Sequence, residues 1–358
     1  MQNRRLRVTI VGTGQNVGIS RAHLMGYRYC PDDAEVSGIF DVNMAAAQAW
    51  KKEYDLSNAV CYGSFEQALE NSDVVSICTP NDTHVGMICR CLEHDVNVLC
   101  EKPLSNTMDE LERIAALLKT TKAKGMINLN YRRIPAMRYL SRFAAEGGFG
   151  KIYLYRHTMG GSRFANEALP MEWRLRKSQS GSGAIGDFCS HMLDMVNFIL
   201  GDRGEGITNL STLKETFIKE RKGRTGPEAV ENEDAAVLIG TLPGGGLLSF
   251  MTSRVGAIGN RLEIIGSKAI ARFNMEEPAR VYLQKRQTGG AFQPEEAVEV
   301  PTDNPDWHTS VPAAFVACAE NVREFVHAIR ENAPVPTDLA QGMRIQRDIE
   351  QILAADRR

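Results

Sequence analysis

The sequence predicts an α/β protein, with a doubly wound parallel sheet at its amino-terminal end and an α+β domain with a largely antiparallel sheet after it. Two observations support this prediction. Apolar runs alternate with helical patterns through the first third of the chain, whereas after about residue 150 strand-like runs follow one another with few helices between them. The length of 358 residues suggests about two domains. We expect these domains to be 1–128 and 129–358.

The first domain repeats a unit of one strand and one helix, which predicts parallel strands with helices on both faces of the sheet. Its strand-like runs are LRVTIVG, AEVSGIF, DVVSICT, VNVLC and KGMINLN. Its helical patterns are the stretch after Gly18, MAAAQAWKKEY, HVGMICRCLEH and MDELERIAALLKT. Each strand is short and bounded by turn residues, as in a doubly wound sheet.

The second domain is predicted from apolar runs that pair most simply as antiparallel strands. These runs are IYLYRHTM, AAVLIGTL, GLLSFMTS, RLEIIG and ARVYLQ. Two helices close the chain, roughly Ala313 to Arg330 and Leu339 to Ala355, and we expect the last one to pack back on the first domain. The polar, glycine-rich segments 162–182 and 220–232 are expected to be long surface loops, which are often functional.

Composition and charge exclude several classes of partner. The net charge is −2, and basic residues occur in short runs such as KERKGR, which argues against nucleic acid. No apolar run approaches the roughly 20 residues that span a bilayer, and the start MQNRRLRVTIVG is better interpreted as a first strand than as a signal peptide. Eight cysteines without a C-x-x-C pair predict reduced core residues in a cytoplasmic protein and no structural zinc.

A glycine-rich turn follows the first strand. Gly12, Gly14 and Gly18 are spaced G-x-G-x-x-x-G, one residue longer than the dinucleotide fingerprint. Strand, turn, helix and second strand nevertheless follow in the order that fingerprint requires. We therefore expect this turn to bind a pyrophosphate. The expected contacts come from Gly12, Gly14, Gln15, Asn16 and Val17. The longer loop leaves the contacts of the last three residues open.

Asp41 follows the second strand, 23 residues beyond Gly18. A carboxylate at this place accepts hydrogen bonds from the adenosine ribose and repels a 2′-phosphate. No lysine or arginine stands between Val42 and Trp50 to bind that phosphate, so NAD is predicted rather than NADP. The alternative is that Asp41 caps the next helix.

The same turn, from Thr13 onwards, is close to the T-G-x-x-x-G-I-G turn of the short-chain dehydrogenases. That family works through a Tyr-x-x-x-Lys pair on one helix. None of the nine tyrosines has a lysine four residues later. The likeness is therefore accidental, and the turn is interpreted as a lengthened pyrophosphate loop.

Polar residues follow two neighbouring strand units of the first domain. In open α/β sheets, ligands bind at the carboxyl ends of the strands. One unit ends in ICTPNDTH and the next in VNVLCEKPLS. The candidate residues at this edge are Thr79, Pro80, Asn81, His84, Glu101 and Lys102.

A third motif lies in GSGAIGDFCSHMLDMVNFILG, where Asp187, His191 and Asp194 are spaced i, i+4 and i+7. On an α-helix these side chains share one face. A carboxylate one turn before an imidazole orients the ring, and histidine is the usual general base near neutral pH. Metal ligation by the three residues and a core histidine bonded to its neighbour are the alternatives.

Together, GTG, Asp41, TPNDTH, CEKP, Glu172-Trp173-Arg174 and G-x-x-G-D-x-x-x-H-x-x-D resemble the glucose-fructose oxidoreductase and inositol dehydrogenase family (Gfo/Idh/MocA). The resemblance runs from Leu6 to the terminal helices. It implies a Rossmann domain followed by an open-faced mixed sheet, often assembled into homodimers or homotetramers. It also implies that Lys102, Asp187 and His191 form the catalytic group.

The implied reaction is NAD-dependent oxidation of a secondary hydroxyl on a sugar, polyol or anhydrosugar. His191 is the expected base, Lys102 holds the same oxygen and Asp187 orients His191, although the family leaves the split between lysine and histidine open. Further candidates line the sugar pocket (Tyr131, Arg133, Arg156 and His157) or contact the cofactor (Asn130, Trp173 and Arg174). An NAD-dependent glycosidase and a non-catalytic, cofactor-sensing regulator are the alternative functions.

Overall fold

A computed structural model describes residues 4–14, 18–201, 206–287 and 290–355. The chain divides into two compact units. The first unit holds the residues up to Asn130 together with Ala314–Gln346, and the second holds Tyr131–Ala313 and the residues from Arg347 onward. The first division thus falls two residues beyond the expected boundary, and the segment Ala314–Gln346 is part of the first unit.

The strands and helices have the following bounds. The strands are β1 (Leu6–Val11), β2 (Ala34–Phe40), β3 (Val60–Cys61), β4 (Val74–Ile77), β5 (Asn97–Cys100), β6 (Gly125–Ile127), β7 (Ile152–Gly160), β8 (Thr208–Glu215), β9 (Glu220–Lys222), β10 (Pro227–Ala229), β11 (Ala235–Thr241), β12 (Leu247–Ser253), β13 (Asn260–Gly266), β14 (Ala269–Asn274), β15 (Arg280–Lys285) and β16 (Glu296–Glu299). The α-helices are α1 (Ile19–Arg28), α2 (Met44–Glu53), α3 (Phe65–Glu70), α4 (His84–Glu93), α5 (Leu111–Leu117), α6 (Pro135–Ala145), α7 (Lys177–Ser180), α8 (Ser190–Leu200), α9 (Ala313–Arg330) and α10 (Leu339–Ala354).

The sheet of the first unit is parallel throughout, in the order β3-β2-β1-β4-β5-β6. The chain builds outward from β1 to β3 and then returns to β4 on the other side of β1. This reversal puts the ends of β1 and β4 side by side, at the place where doubly wound sheets bind ligands. The predicted parallel sheet is confirmed, and β3, a two-residue strand, was not predicted.

The core of the first unit includes α9. Val322, Phe325 and Val326 are buried in one cluster with residues of β1, β2 and α1. Helix α1 approaches so closely that a Cβ on Gly26 would lie 2.4 Å from Cβ of Val322. This packing is the physical reason that a helix distant in sequence belongs to the first unit.

The start of α10 also packs in the first unit. A Cβ on Gly125 in β6 would lie 2.4 Å from Cδ1 of Leu339, and one on Gly342 would lie 3.0 Å from Cδ1 of Ile127. Just before this helix, the hydroxyl of Thr337 donates to the carbonyl of Ile127 over 2.6 Å. No helix among the described residues is long and apolar enough to cross a membrane.

The sheet of the second unit has the order β16-β15-β14-β13-β7-β12-β11-β8. Neighbours are antiparallel except β7 and β12, which run parallel, so the predicted mixed and largely antiparallel sheet is confirmed. One face is buried and the other exposed. In β11, for example, Leu238 is buried whereas its neighbours Val237 and Ile239 are exposed.

The expectation of a plain surface loop at 220–232 is wrong. Strands β9 and β10 form an antiparallel ribbon there, and Arg221 is 3% exposed. Its guanidinium donates to the carbonyls of Phe164, Asn166 and Leu169 in the other segment expected to be a loop. A small apolar cluster of Phe164, Leu175 and Val230 lies beneath, and it holds both segments in place.

Candidate active site

The glycine turn has two positions with opposite surroundings. Gly12 has φ of +87°, and a Cβ there would lie 2.8 Å from Cγ2 of Thr79, so only glycine fits where the ends of β1 and β4 meet. A Cβ on Gly14 would meet no atom of the described residues within 4 Å. Helix α1 begins directly after Gly18. The turn thus has open space beside a helix start, which suits a pyrophosphate, while Gln15, Asn16 and Val17 lie outside the described residues.

Asp41 is bonded to the glycine turn. One carboxylate oxygen accepts from the backbone N–H of Thr13 over 2.8 Å, and the other accepts from the backbone N–H of Asn43 over 2.9 Å. The residue that caps α2 is Asn43, whose side chain accepts from Ala45 and Ala46. The alternative that Asp41 is the helix cap is therefore wrong, because Asn43 fills that role.

His84 joins the two polar strand ends of the first unit. Its side chain is buried, with Nδ1 2.8 Å from the carbonyl oxygen of Pro103 and Nε2 3.0 Å from that of Thr79. Burial lowers the pKa of His84, although the neighbouring carbonyls oppose the effect. The imidazole thus braces TPNDTH against the loop after β5. In the same turn Pro80 is half-buried and Asn81 is buried.

Glu101 lies directly after β5 and receives three N–H groups. His23 Nε2 is 2.9 Å and Asn128 Nδ2 is 2.5 Å from Oε1, while the backbone N–H of Lys102 donates to Oε2 over 3.3 Å. Burial would raise the pKa of Glu101, but the hydrogen bond and charge of His23 outweigh it, so the pKa is lowered. Sequence reasoning missed His23 and Asn128, which no motif marks.

A possible metal-binding group lies around the same carboxylate. Within the described part of the chain, His23, Glu101 and Cys318 bring one ligand atom each to within 4.8 Å of one another. The imidazole and the carboxylate are bonded directly to each other, and Asn128 Nδ2 is also 3.2 Å from Sγ of Cys318. The geometry is therefore that of a hydrogen-bonded core. Asn130, a cofactor candidate, is buried and donates to the carbonyl of Ala314 over 3.0 Å.

In the second unit, His191 lies against Tyr131. The two rings are stacked, with centroids 4.3 Å apart and planes inclined by 9°. Burial raises the pKa of the Tyr131 hydroxyl, and the negative charge of Asp187 raises it further. Asp187 is half-buried and His191 is 7% exposed. The structure thus brings together three of the predicted residues: a carboxylate, an imidazole and a phenol.

The expected face of Asp187, His191 and Asp194 is only partly realised. Residues Ile185–Cys189 form a π-helical turn before α8, which interrupts the regular spacing, and such turns are frequent at functional sites. Asp194 is fully buried, and its oxygens lie 2.6 to 3.0 Å from Nε and Nη2 of Arg132. Because Asp194 is held by Arg132, the alternative of a three-residue metal site loses its third ligand.

The remaining candidates of the second unit have different surroundings. Arg174 is half-buried, with its guanidinium carbon 4.3 Å from the ring centroid of Trp173 and Nη1 3.5 Å from Glu172. Arg133 is buried, and Arg156 is exposed and paired with Glu263 over 2.9 Å.

His157 lies in β7 and is 1% exposed, with Nε2 2.8 Å from Oδ1 of Asn260. Its ring also packs edge-on against Tyr155 and Phe250. This placement favours a role in packing the second unit.

Comparison with known proteins adds the family. Residues 6–129 match the family described as "Oxidoreductase family, NAD-binding Rossmann fold", and residues 144–358 match its C-terminal alpha/beta domain. A levoglucosan dehydrogenase from Pseudarthrobacter phenanthrenivorans is 29% identical, with 68% of this chain and 60% of that relative covered. The match thus spans about three fifths of the relative's length.

Two further likenesses cover more of the chain. An inositol 2-dehydrogenase from Rhizobium meliloti is 24% identical over 87% of this chain and 86% of the relative. The crystal structure of an oxidoreductase domain protein from Kribbella flavida superimposes with a TM-score of 0.86 and 26% identity, over 98% of this chain and 96% of that one. With both of its domains matched, the chain belongs to the Gfo/Idh/MocA family of oxidoreductases, whose first domain is an NAD-binding Rossmann fold.

Proposed function

We propose that the protein oxidises a secondary hydroxyl of a sugar, polyol or anhydrosugar with NAD as the hydride acceptor. The observation that carries the proposal is the cluster in the second unit, where His191 stacks on Tyr131 and Asp187 acts on the same phenol. An imidazole whose plane is held by a stacked ring, with a carboxylate acting on the same phenol, is suited to accept a hydroxyl proton. Relatives that act on levoglucosan and on inositol support this substrate class.

The residues of the first unit fit a dinucleotide. The space beside Gly14 and the start of α1 would accommodate the pyrophosphate. Asp41 would accept hydrogen bonds from the adenosine ribose while its bond to Thr13 keeps it next to the turn. When bound, NAD takes up the hydride that leaves the substrate carbon.

In the proposed reaction, the C–H bond and the O–H bond of one secondary alcohol both break. His191 would accept the hydroxyl proton as the hydride leaves and the carbonyl forms. Asp187 stabilises the resulting imidazolium by its negative charge. We propose that Lys102 holds and polarises the oxygen of the reacting hydroxyl.

We further propose contacts outside the reacting group. Tyr131 and Arg133 contact the sugar hydroxyls, and the stacked pair of Trp173 and Arg174 contacts the cofactor or the sugar. Thr79 and Asn81 line the cofactor from the end of β4. The remaining candidates, His84, Asn130 and His157, act by holding the surrounding backbone and strands.

A substrate panel tests the proposal. Purified protein is mixed with NAD and with single polyols, aldoses, glycosides and anhydrosugars, and the reduced cofactor is followed by its absorbance. A dehydrogenase reduces one equivalent of NAD for each carbonyl formed. Release of an aglycone without net reduction of NAD would instead identify a glycosidase. Tight NAD binding without turnover of any member of the panel would favour a regulator.

We also propose that copies of the chain assemble through the exposed face of the eight-stranded sheet of the second unit. Apolar side chains stand on this face, including Val237, Ile239, Leu247 and Met251.

The eight cysteines, all within the described residues, form no disulfide. Their state supports a reducing compartment such as the cytoplasm.

A further inference from the structure

The carboxylate of Glu101 is the centre of a buried polar network in the first unit. His23, on α1, donates to Glu101 through Nε2, and its Nδ1 lies 2.9 Å from Oγ of Ser76. The hydroxyl of Tyr27 lies 2.8 Å from the same Oγ. Since Nε2 faces a carboxylate, it carries a proton, whichever state Nδ1 adopts.

The network reaches the backbone of Lys102. The second oxygen of Glu101 accepts from the backbone N–H of Lys102, so the carboxylate connects the imidazole of His23 to the residue that carries the amine. Asn128 donates to Glu101, and its own oxygen accepts from Asn321 of α9 over 2.9 Å. The carboxylate of Glu101 is thus held by a network that draws on α1, β4, α9 and the end of β6.

We propose that His23 is a positioning residue for Lys102: by holding the carboxylate of Glu101, it fixes the backbone of Lys102 and the charge beside its amine. The proposal rests on the proposed function in one respect, namely that Lys102 holds the substrate oxygen. It adds a residue from outside the CEKP motif, because His23 lies on α1, the helix that follows the glycine turn. The helix at the pyrophosphate turn and the lysine are therefore connected by two hydrogen bonds.

The charges around the pair support this role. Burial would lower the pKa of His23, yet the surrounding groups raise it well above its usual value, while the pKa of Glu101 is lowered. The titratable groups that face the pair among the described residues are Cys78, Cys100, Cys318, Tyr27, His84 and Lys102. Burial raises the pKa of the Cys78 and Cys100 thiols, which favours their neutral forms, whereas the lowered pKa of Glu101 favours its carboxylate.

Two substitutions of His23 separate positioning from space filling. His23→Gln puts an amide near the place of Nε2 and can still donate to Glu101. His23→Asn reaches only as far as Nδ1 and leaves Glu101 without that donor. Glu101→Gln removes the negative charge at nearly constant volume. His94→Asn is the matched control, because His94 is exposed at the end of α4.

The first readout needs no substrate. Lysines of the full-length protein are methylated reductively with ¹³C-formaldehyde, and the Lys102 signal, assigned by its loss in Lys102→Arg, is recorded by NMR at neutral pH. We expect this signal to change its chemical shift and to broaden in His23→Asn and Glu101→Gln, because the carboxylate that fixes the backbone of Lys102 loses its donor or its charge. His23→Gln and His94→Asn should give the wild-type signal.

The second readout is kinetic, with the substrate found in the panel. His23→Asn should lower kcat about tenfold or more with KM for NAD within about twofold, since a buried charge-assisted hydrogen bond is lost. His23→Gln should restore most of kcat. An unchanged Lys102 signal in both His23→Asn and Glu101→Gln, or equal losses of kcat in His23→Asn and His23→Gln, would overturn the proposal. If no sugar is oxidised, the NMR signal still decides the role of His23 while the proposed function fails.

Discussion

The ring of Tyr131 lies parallel to the imidazole of His191, with 4.3 Å between the centroids and 9° between the planes. The phenol opens the second unit, and the imidazole lies on α8, about 60 residues later in the chain. A stacked partner limits the rotation of an imidazole about its side-chain bonds. Tyr131 therefore holds the plane of the imidazole through which, we propose, His191 accepts the substrate proton.

Removing this ring should reduce the rate without abolishing it. An aromatic pair contributes about 0.5 to 1.5 kcal/mol beyond its buried area, which corresponds to about 2- to 12-fold in rate. We expect Tyr131→Ala to lower kcat by about this factor. Tyr131→Phe keeps the stacked ring and should retain the wild-type kcat. Steady-state kinetics of the two variants tests this prediction. An increase of KM for the sugar in Tyr131→Phe would show in addition that the hydroxyl binds substrate, whereas full kcat in Tyr131→Ala would contradict the role of the stack.

His191 should behave as a proton-transfer group and Lys102 as a group that holds the substrate oxygen. Removing such a group typically lowers the rate by ~10²- to 10⁴-fold, so Lys102→Ala and His191→Ala should each lose about that much kcat. Titration with NAD, followed by the fluorescence of the protein, should remain nearly normal in both variants. Wild-type turnover in either variant would remove that residue from the catalytic group.

The periodic parts of the fold could be predicted from the sequence, and the packing of distant segments could not. Helix α9 was predicted with its observed bounds, because its apolar positions recur at the helical period. Its place in the core of the first unit depends on the contact between Gly26 and Val322, about 300 residues apart. Nothing in local periodicity encodes such a contact. Strands β8, β14 and β16 were also missed, since polar residues interrupt their apolar positions.

For the candidate site, motifs indicated the residues but not their surroundings. Lys102, Asp187 and His191 come from spacing and resemblance, and the structure adds the stacked ring of Tyr131. His23 carries no motif of its own, because a single histidine on an apolar helix face is usually a core residue. Asp194 was grouped with His191 on the assumption of a regular α-helix. The π-helical turn and the buried pair with Arg132 are tertiary features that residue spacing does not encode.

Asp41 should make the protein prefer NAD to NADP. Its carboxylate lies next to the glycine turn through the N–H of Thr13, where it repels a 2′-phosphate. We expect Asp41→Ser to narrow the preference for NAD over NADP. It should do so mainly by weakening the binding of NAD and by relieving the repulsion of the 2′-phosphate. Asp41→Asn, which keeps an acceptor for Thr13 without the charge, separates the two effects. The measurement is kcat/KM for each cofactor, and equal values for the wild type would disprove the assignment.

His157 should make the protein less stable in acid. Burial lowers the pKa of His157 to about 4, with the hydrogen bond to Asn260 opposing the effect, whereas an unfolded histidine has a pKa of about 6.5. Between these values the unfolded chain binds a proton that the folded chain does not, so the free energy of unfolding falls as the pH falls. The loss reaches about 3 kcal/mol near pH 4.

Urea unfolding at about pH 7 and pH 4.5 checks this prediction. His157→Gln can still donate to Asn260 but does not titrate, so its stability should fall less between the two pH values than that of the wild type. His94→Gln, at an exposed position, is the control and should follow the wild type. The same pH dependence in His157→Gln and the wild type would show that other groups cause the acid sensitivity.

The exposed face of the second sheet should hold copies of the chain together. Val237 of β11 pairs directly with Met251 of β12, and both side chains are more than 40% exposed. A continuous apolar patch on a sheet is typical of an interaction surface. We expect light scattering to give the mass of a dimer or tetramer for the wild type and of a monomer for the double variant Val237→Glu, Met251→Glu. Val42→Glu, at a 94% exposed position outside this sheet, is the matched control and should keep the assembly. An unchanged mass in the double variant, with circular dichroism showing a folded chain, would place the contact elsewhere.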